Sequence, residues 1–171
     1  MERRSIESIA KALNEADARY LIVGGVAVVA HGFVRFTADV DLVLDPDPVA
    51  LRRAIAAISA LGYRSRAPVP LEQFADPVRR AEWAVQKGLT VFSLFSPEHV
   101  ATELDLFLEC PFDFEAAYGR ALRRESGGVP LTFVGLHELL ALKRGAGRPQ
   151  DLVDVAQLEA LEQRKEPGDG T

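Results

Sequence analysis

The stretch from Tyr20 to Leu44 constrains this chain most. An apolar run, Tyr20-Leu-Ile-Val23, meets Gly24-Gly25, and a second apolar run follows with Asp39 and Asp41 set into its start. The first run is rich in β-branched and aromatic residues and stops at a turn signal, which predicts a short buried strand. Neither glycine has a Cβ, so the backbone can bend tightly there and come close to a ligand. Val26 to His31 is expected to form a short helix from that turn, ended by Gly32. A helix start carries free N–H groups and partial positive charge, which suit a phosphate. A tight turn with no ligand is the plain alternative.

Asp39-Val-Asp41 carries the second half of the reading. Residues i and i+2 of a strand point to one face, so both carboxylates face outward together while Val40, Leu42 and Leu44 face the core. Like charges held that close repel, and one tends to take up a proton. A divalent cation removes the conflict, because hard cations prefer carboxylate oxygens. A solvent-facing strand edge is the alternative. A third acid lies in a similar setting in Leu104-Asp105-Leu106-Phe107, and Glu103 shares its face as a second-choice acid.

In order and spacing these pieces resemble the nucleotidyltransferase superfamily related to DNA polymerase beta. Val23-Gly24-Gly25, a spacer of 13 residues, Asp39-Val40-Asp41 and the later Leu104-Asp105-Leu106 match its pattern. Arg35-Phe-Thr37-Ala-Asp39 is similar to the Arg-x-Thr-x-Asp run of small prokaryotic members. Lys143, followed by Gly147-Arg148-x-x-Asp151-x-x-Asp154, resembles the C-terminal stretch of AbiEii-type toxins. The resemblance implies an α/β (α+β) fold: a small mixed β-sheet flanked by helices, with a helical C-terminal part.

It also implies an enzyme that moves a nucleoside monophosphate from an NTP to a hydroxyl acceptor with two Mg²⁺ ions. Asp39, Asp41 and Asp105 would hold the metal, with Asp105 nearer the acceptor. Gly24 and Gly25 would cradle the β- and γ-phosphates. Arg35, Thr37 and Lys143 are further candidates for nucleotide binding. Asp151 and Asp154 could instead lock Lys143 into the helix pair. The acceptor is open among an RNA end, a protein side chain and a small molecule such as an antibiotic. A toxin–antitoxin or phage-defence role fits the C-terminal stretch, and a homodimer or antitoxin-type partner is a possible associate. The runner-up is a non-catalytic member that binds nucleotide or a partner.

Length and composition set the frame. A chain of 171 residues suits one domain, here 1–165, with 166–171 as a frayed, disordered tail. Apolar content of 48% and charged content of 26% are ordinary for a globular protein. No apolar stretch reaches bilayer length and Met1-Glu-Arg-Arg lacks a signal-peptide core, so a cytoplasmic location without membrane contact is expected. The single cysteine, Cys110, excludes an internal disulfide and a Cys-based zinc site. A net charge of −5 argues against a surface that coats nucleic acid broadly.

Elsewhere, periodicity predicts helices over 4–18, 49–61 (Asp47 as N-cap) and 113–124, and two helices from Leu136 onward around a Gly-rich bend. Leu71 to Val85 reads as a helix broken at Asp76-Pro77. Short strands are expected over 62–66, 89–95, 101–109 and 129–134. His31 reads as a helix-end residue and His99 as a solvent-exposed turn residue.

Overall fold

The computed structural model describes residues 2–165; the tail expected at 166–171 lies outside them. Its centre is the pair that the glycine turn separates. Strand β1 (Tyr20–Val23) is buried along its whole length, and β2 (Asp39–Leu44) alternates half-buried Asp39 and Asp41 with buried Val40 and Leu42. The two run antiparallel, with Val23 opposite Asp41 and Tyr20 opposite Leu44. Between them lie helix α2 (Gly24–Ala30) and the segment 31–38. Gly32 ends α2 with φ +114°, as its position as a C-terminal cap requires.

Five more strands complete a mixed sheet: β3 (Arg64–Ser65), β4 (Val91–Phe95), β5 (Glu103–Phe107), β6 (Leu122–Ser126) and β7 (Val129–Phe133). The order is β3-β4-β5-β2-β1-β7-β6. β2 lies parallel to β5 and β1 parallel to β7, while the remaining neighbours are antiparallel. The expected hairpin of β4 and β5 is present and lays β5 directly against β2.

One face of the sheet is apolar. It carries Val40, Leu42, Leu104, Leu106, Phe92 and Leu94, all 3% exposed or less. Helix α1 (Arg3–Glu15) packs over β7 and against α3 (Pro48–Ala60), whose start is capped by the Asp47 carboxylate accepting from Val49 and Ala50 N–H. A 3₁₀ turn (Leu71–Ala75) and helix α4 (Pro77–Lys87) follow, and the break between them falls at Asp76-Pro77. Trp83 of α4 stacks on Phe92 at 4.8 Å, with Phe74 on the same ring at 5.6 Å. Helices α6 (Leu136–Ala146) and α7 (Pro149–Lys165) pack against each other, and α6 also contacts α2.

Two expectations need correction. The helix expected over 113–124 stops early: α5 spans Phe114–Gly119, and Leu122–Ser126 turns back as β6 onto β7. Gly127 and Gly128, at φ +57° and +78°, form the hairpin turn that makes this possible. His99 is not a free loop residue. Its ring stacks on buried Tyr63 at 5.6 Å, and its Nδ1 lies 3.0 Å from Ser5 Oγ.

Candidate active site

The site is assembled by strand register. In the parallel pair of β2 and β5, Asp41 faces Asp105 and Asp39 faces Glu103. Side chains in register share a face, so four carboxylates gather on the side of the sheet away from the apolar core. Asp105 Oδ1 is buried and has no hydrogen-bond partner. Burial first, then the nearby charges of Asp105 and Asp39, push the Asp41 carboxyl up to about 6. Asp39 is raised for the same reasons, burial first and then Asp105 and Glu103. Leaving these groups charged and unpaired is costly, and a cation would relieve that cost.

The glycine turn meets this cluster. Gly24 has φ +63°, a conformation that disfavours any side chain, and a Cβ there would lie 1.9 Å from Asp41 Oδ2. A Cβ on Gly25 would lie 2.5 Å from Thr37 Oγ1 and 3.0 Å from Arg35 Nη2. The turn therefore packs against Asp41 on one side and against the 35–37 segment on the other. Thr37 Oγ1 also donates to the Asp39 carbonyl at 3.4 Å. Val23 gives α2 no side-chain cap and its first turn holds no acid, so no side chain of the helix itself takes up its opening N–H groups.

The cations nearby divide into locked and open. Lys143 is buried, with Nζ 2.8 Å from Asp151 Oδ1 and 2.9 Å from Asp154 Oδ2. Arg35 donates from Nη2 to Asp154 Oδ2 at 2.9 Å, and its Nε lies 2.8 Å from Oδ1. Burial alone would push Asp151 and Asp154 up. Lys143 with Arg148 on the first, and Lys143 with Gln150 and Arg35 on the second, hold both below the ordinary carboxylate range. Arg148 also pairs with Asp151, at 2.8 Å, yet its side chain is 76% exposed. Lys143 and Arg148 lie close enough to Asp41 to oppose the rise in its pKa.

Thus Asp39, Asp41, Asp105, Gly24, Gly25, Thr37 and Arg35 form one connected group. Lys143 stands behind it, held by two aspartates. Sequence reasoning did not foresee that Arg66 ion-pairs with Glu103. It also passed over the openness of Arg148. Both depend on contacts between distant segments, which no local pattern signals. Among the described residues, no three His, Cys, Asp or Glu side chains are already gathered into a metal cage. None of the described helices is long and apolar enough to cross a membrane.

No family model matches the sequence, and no curated protein matches it significantly. Solved structures do. A lincosamide antibiotic adenylyltransferase, LnuA, with lincomycin bound, superposes with a TM-score of 0.63 at 14% identity, covering 94% of this chain and 98% of its own. ANT(2″)-Ia in complex with adenylyl-2″-tobramycin gives 0.55 at 16% identity, covering 93% and 91%. What is shared at such identities is the fold: this chain has the nucleotidyltransferase fold over nearly its whole length.

Proposed function

We propose that the chain transfers a nucleoside monophosphate from an NTP to a hydroxyl acceptor. One observation carries this reading: Asp41 and Asp105 face each other across β2 and β5, against a turn that has no Cβ where Asp41 needs the room. The two solved structures of the same fold support it, since one is an antibiotic adenylyltransferase and the other holds adenylyl-2″-tobramycin.

Divalent metal fits the residues present. Asp105 Oδ1 is orphaned, and Asp41 is strained toward protonation by its neighbours. The lack of a finished cage is in keeping with Mg²⁺, which takes many of its oxygens from water and substrate phosphates rather than from the protein. Asp39, Asp41 and Asp105 would hold the ions, two in number by the resemblance. Bound there, Mg²⁺ would offset triphosphate charge and favour the ionised acceptor.

The protein's own part is positioning. The Gly24-Gly25 turn would admit the β- and γ-phosphates close to the backbone. Arg35 and Thr37 would fix the outer wall of that turn. Lys143 and Arg148 would add positive potential behind it, Lys143 without leaving its aspartates. In the transfer, the acceptor oxygen bonds to the α-phosphorus, the bond to the bridging oxygen breaks, and pyrophosphate leaves. Asp105 would take the hydroxyl proton.

The test is transfer of label from α-labelled ATP, GTP, CTP and UTP with Mg²⁺, offered to RNA, protein and small-molecule pools. Label is expected in one pool and absent with Asp39→Asn. Label in none of them, despite Mg²⁺-dependent nucleotide binding, would favour a non-catalytic nucleotide-binding role. Label in RNA or protein would suit the toxin or phage-defence setting implied by the C-terminal stretch. Label in a small molecule would suit resistance.

A further inference from the structure

Outward from Asp105, the sheet continues through β4 to the edge strand β3, and its carboxylate face lies open there. The alternation of β4 shows this. On the core face Phe92 and Leu94 are buried, whereas Phe95 on the opposite face is 40% exposed. Register sets Ser93 opposite Asp105 and Arg64 opposite Phe95. Arg66, just past β3, reaches over the same face. Its guanidinium lies 5.7 Å from the Phe95 ring centroid and ion-pairs with Glu103, the cross-strand neighbour of Asp39. An aromatic and basic shelf therefore begins at the reacting carboxylates and ends at the sheet edge.

Its charge is informative. The acids that β4 and β5 turn to this face are Glu103 and Asp105. Asp105 belongs to the candidate site, and Glu103 is neutralised by Arg66. Arg64 is exposed and has no ion-pair partner among the described residues. Outward of the candidate site's carboxylates, the unbalanced charge of the shelf is therefore one positive, set beside an exposed ring. Outward of Asp105, β4 and β5 offer a polycation no free carboxylate, while an anion on a flat or cyclic body would find both Arg64 and Phe95.

We propose that this shelf is the acceptor subsite and that it selects by charge: it takes a ring-bearing hydroxyl compound that carries a phosphate, and it disfavours polyamines. The fate of the hydroxyl rests on the nucleotidyl-transfer reading; the charge preference does not. Arg64 is the residue that sets it, and Arg66 acts by masking Glu103.

The test is an NMR titration of the full chain, following amides of β4 and β5, with phenyl phosphate and benzylamine as ring probes of opposite charge. Salt is kept at about 0.15 M to suppress diffuse attraction. Phenyl phosphate is expected to saturate the shelf at least about tenfold more tightly than benzylamine. Arg64→Gln should remove most of that preference, and Arg64→Glu should reverse it. Equal or tighter binding of benzylamine, no saturable response to phenyl phosphate, or the same response in Arg64→Glu would each overturn the proposal. A parallel titration with Mg²⁺ and a non-hydrolysable ATP analogue, in the parent and in Asp39→Asn, tests the transfer reading separately. No Mg²⁺-dependent nucleotide binding in the parent, or binding unchanged in Asp39→Asn, would remove that reading and leave the charge preference to the ring probes.

Discussion

At Gly24 the backbone sits at φ +63° and the nearest atom to a would-be Cβ is Asp41 Oδ2. Gly24→Ala therefore combines backbone strain with displacement of a short side chain that has little room to yield. The strain alone is worth about 1–2 kcal/mol, and thermal unfolding should show the loss. Nucleotide affinity in the presence of Mg²⁺ should fall with it. A variant that keeps both would mean that Asp41 is free to move and that the turn is no cradle.

Asp41 itself gives a pH signature. Its carboxyl is lifted from 3.8 to about 6 by burial, with Asp105 and Asp39 adding to it. Between those values the folded chain holds a proton that the unfolded chain has released. This contribution to stability is therefore lost as pH rises through about 6, and it carries no differential below 3.8. Asn mimics the protonated acid. Asp41→Asn should stabilise the protein by about 1–3 kcal/mol at alkaline pH, with the gap closing as pH falls toward 4, read from urea unfolding. The same variant should lose transfer. A gap that widens in acid would reverse the sign and sink this account of the cluster.

Among the elements, the join of α6, α7 and segment 31–38 is electrostatic. Asp154, fully buried, serves both Lys143 and Arg35. Asp154→Ala would strand Arg35 and leave Lys143 with Asp151 alone, a loss of about 3–5 kcal/mol if the pairs break without relaxation. Urea unfolding would measure it; a change below about 1 kcal/mol would show the network to be solvated and dispensable.

The same elements show where sequence reasoning runs out. The pairing of Lys143 with Asp151 and Asp154 is local and was open to inspection as helix spacing. Arg35 joining them is not, because it comes from the other end of the chain. The β2 alternation around Asp39 and Asp41 was legible because each strand face has one environment. Arg123 and Arg124 misled for the converse reason. On an exposed edge strand they have no apolar alternation to announce β6, and they read instead as the basic end of a helix. Gly127-Gly128 between two short runs was the better signal. His99 shows the limit again: its stacking on Tyr63 needs two turns brought together by the sheet.

For the whole molecule, the decisive feature is the parallel contact between β2 and β5, which sets Asp41 beside Asp105. The two strands come from well-separated parts of the chain, so closing them carries a loop-entropy cost before any reward arrives. During folding, β1, α2 and β2 can come together from near neighbours in the chain, but they then hold only part of the ligand set. Early species should accordingly be blind to Mg²⁺ and nucleotide. In stopped-flow experiments, saturating ligand should slow unfolding and leave the refolding rate unchanged. Ligand-accelerated refolding would mean that the carboxylates meet before the rate-limiting barrier. A chain opened at the contact of β2 and β5, whether still under synthesis or partly unfolded by heat, holds Asp41 and Asp105 apart and cannot gather the ligand set.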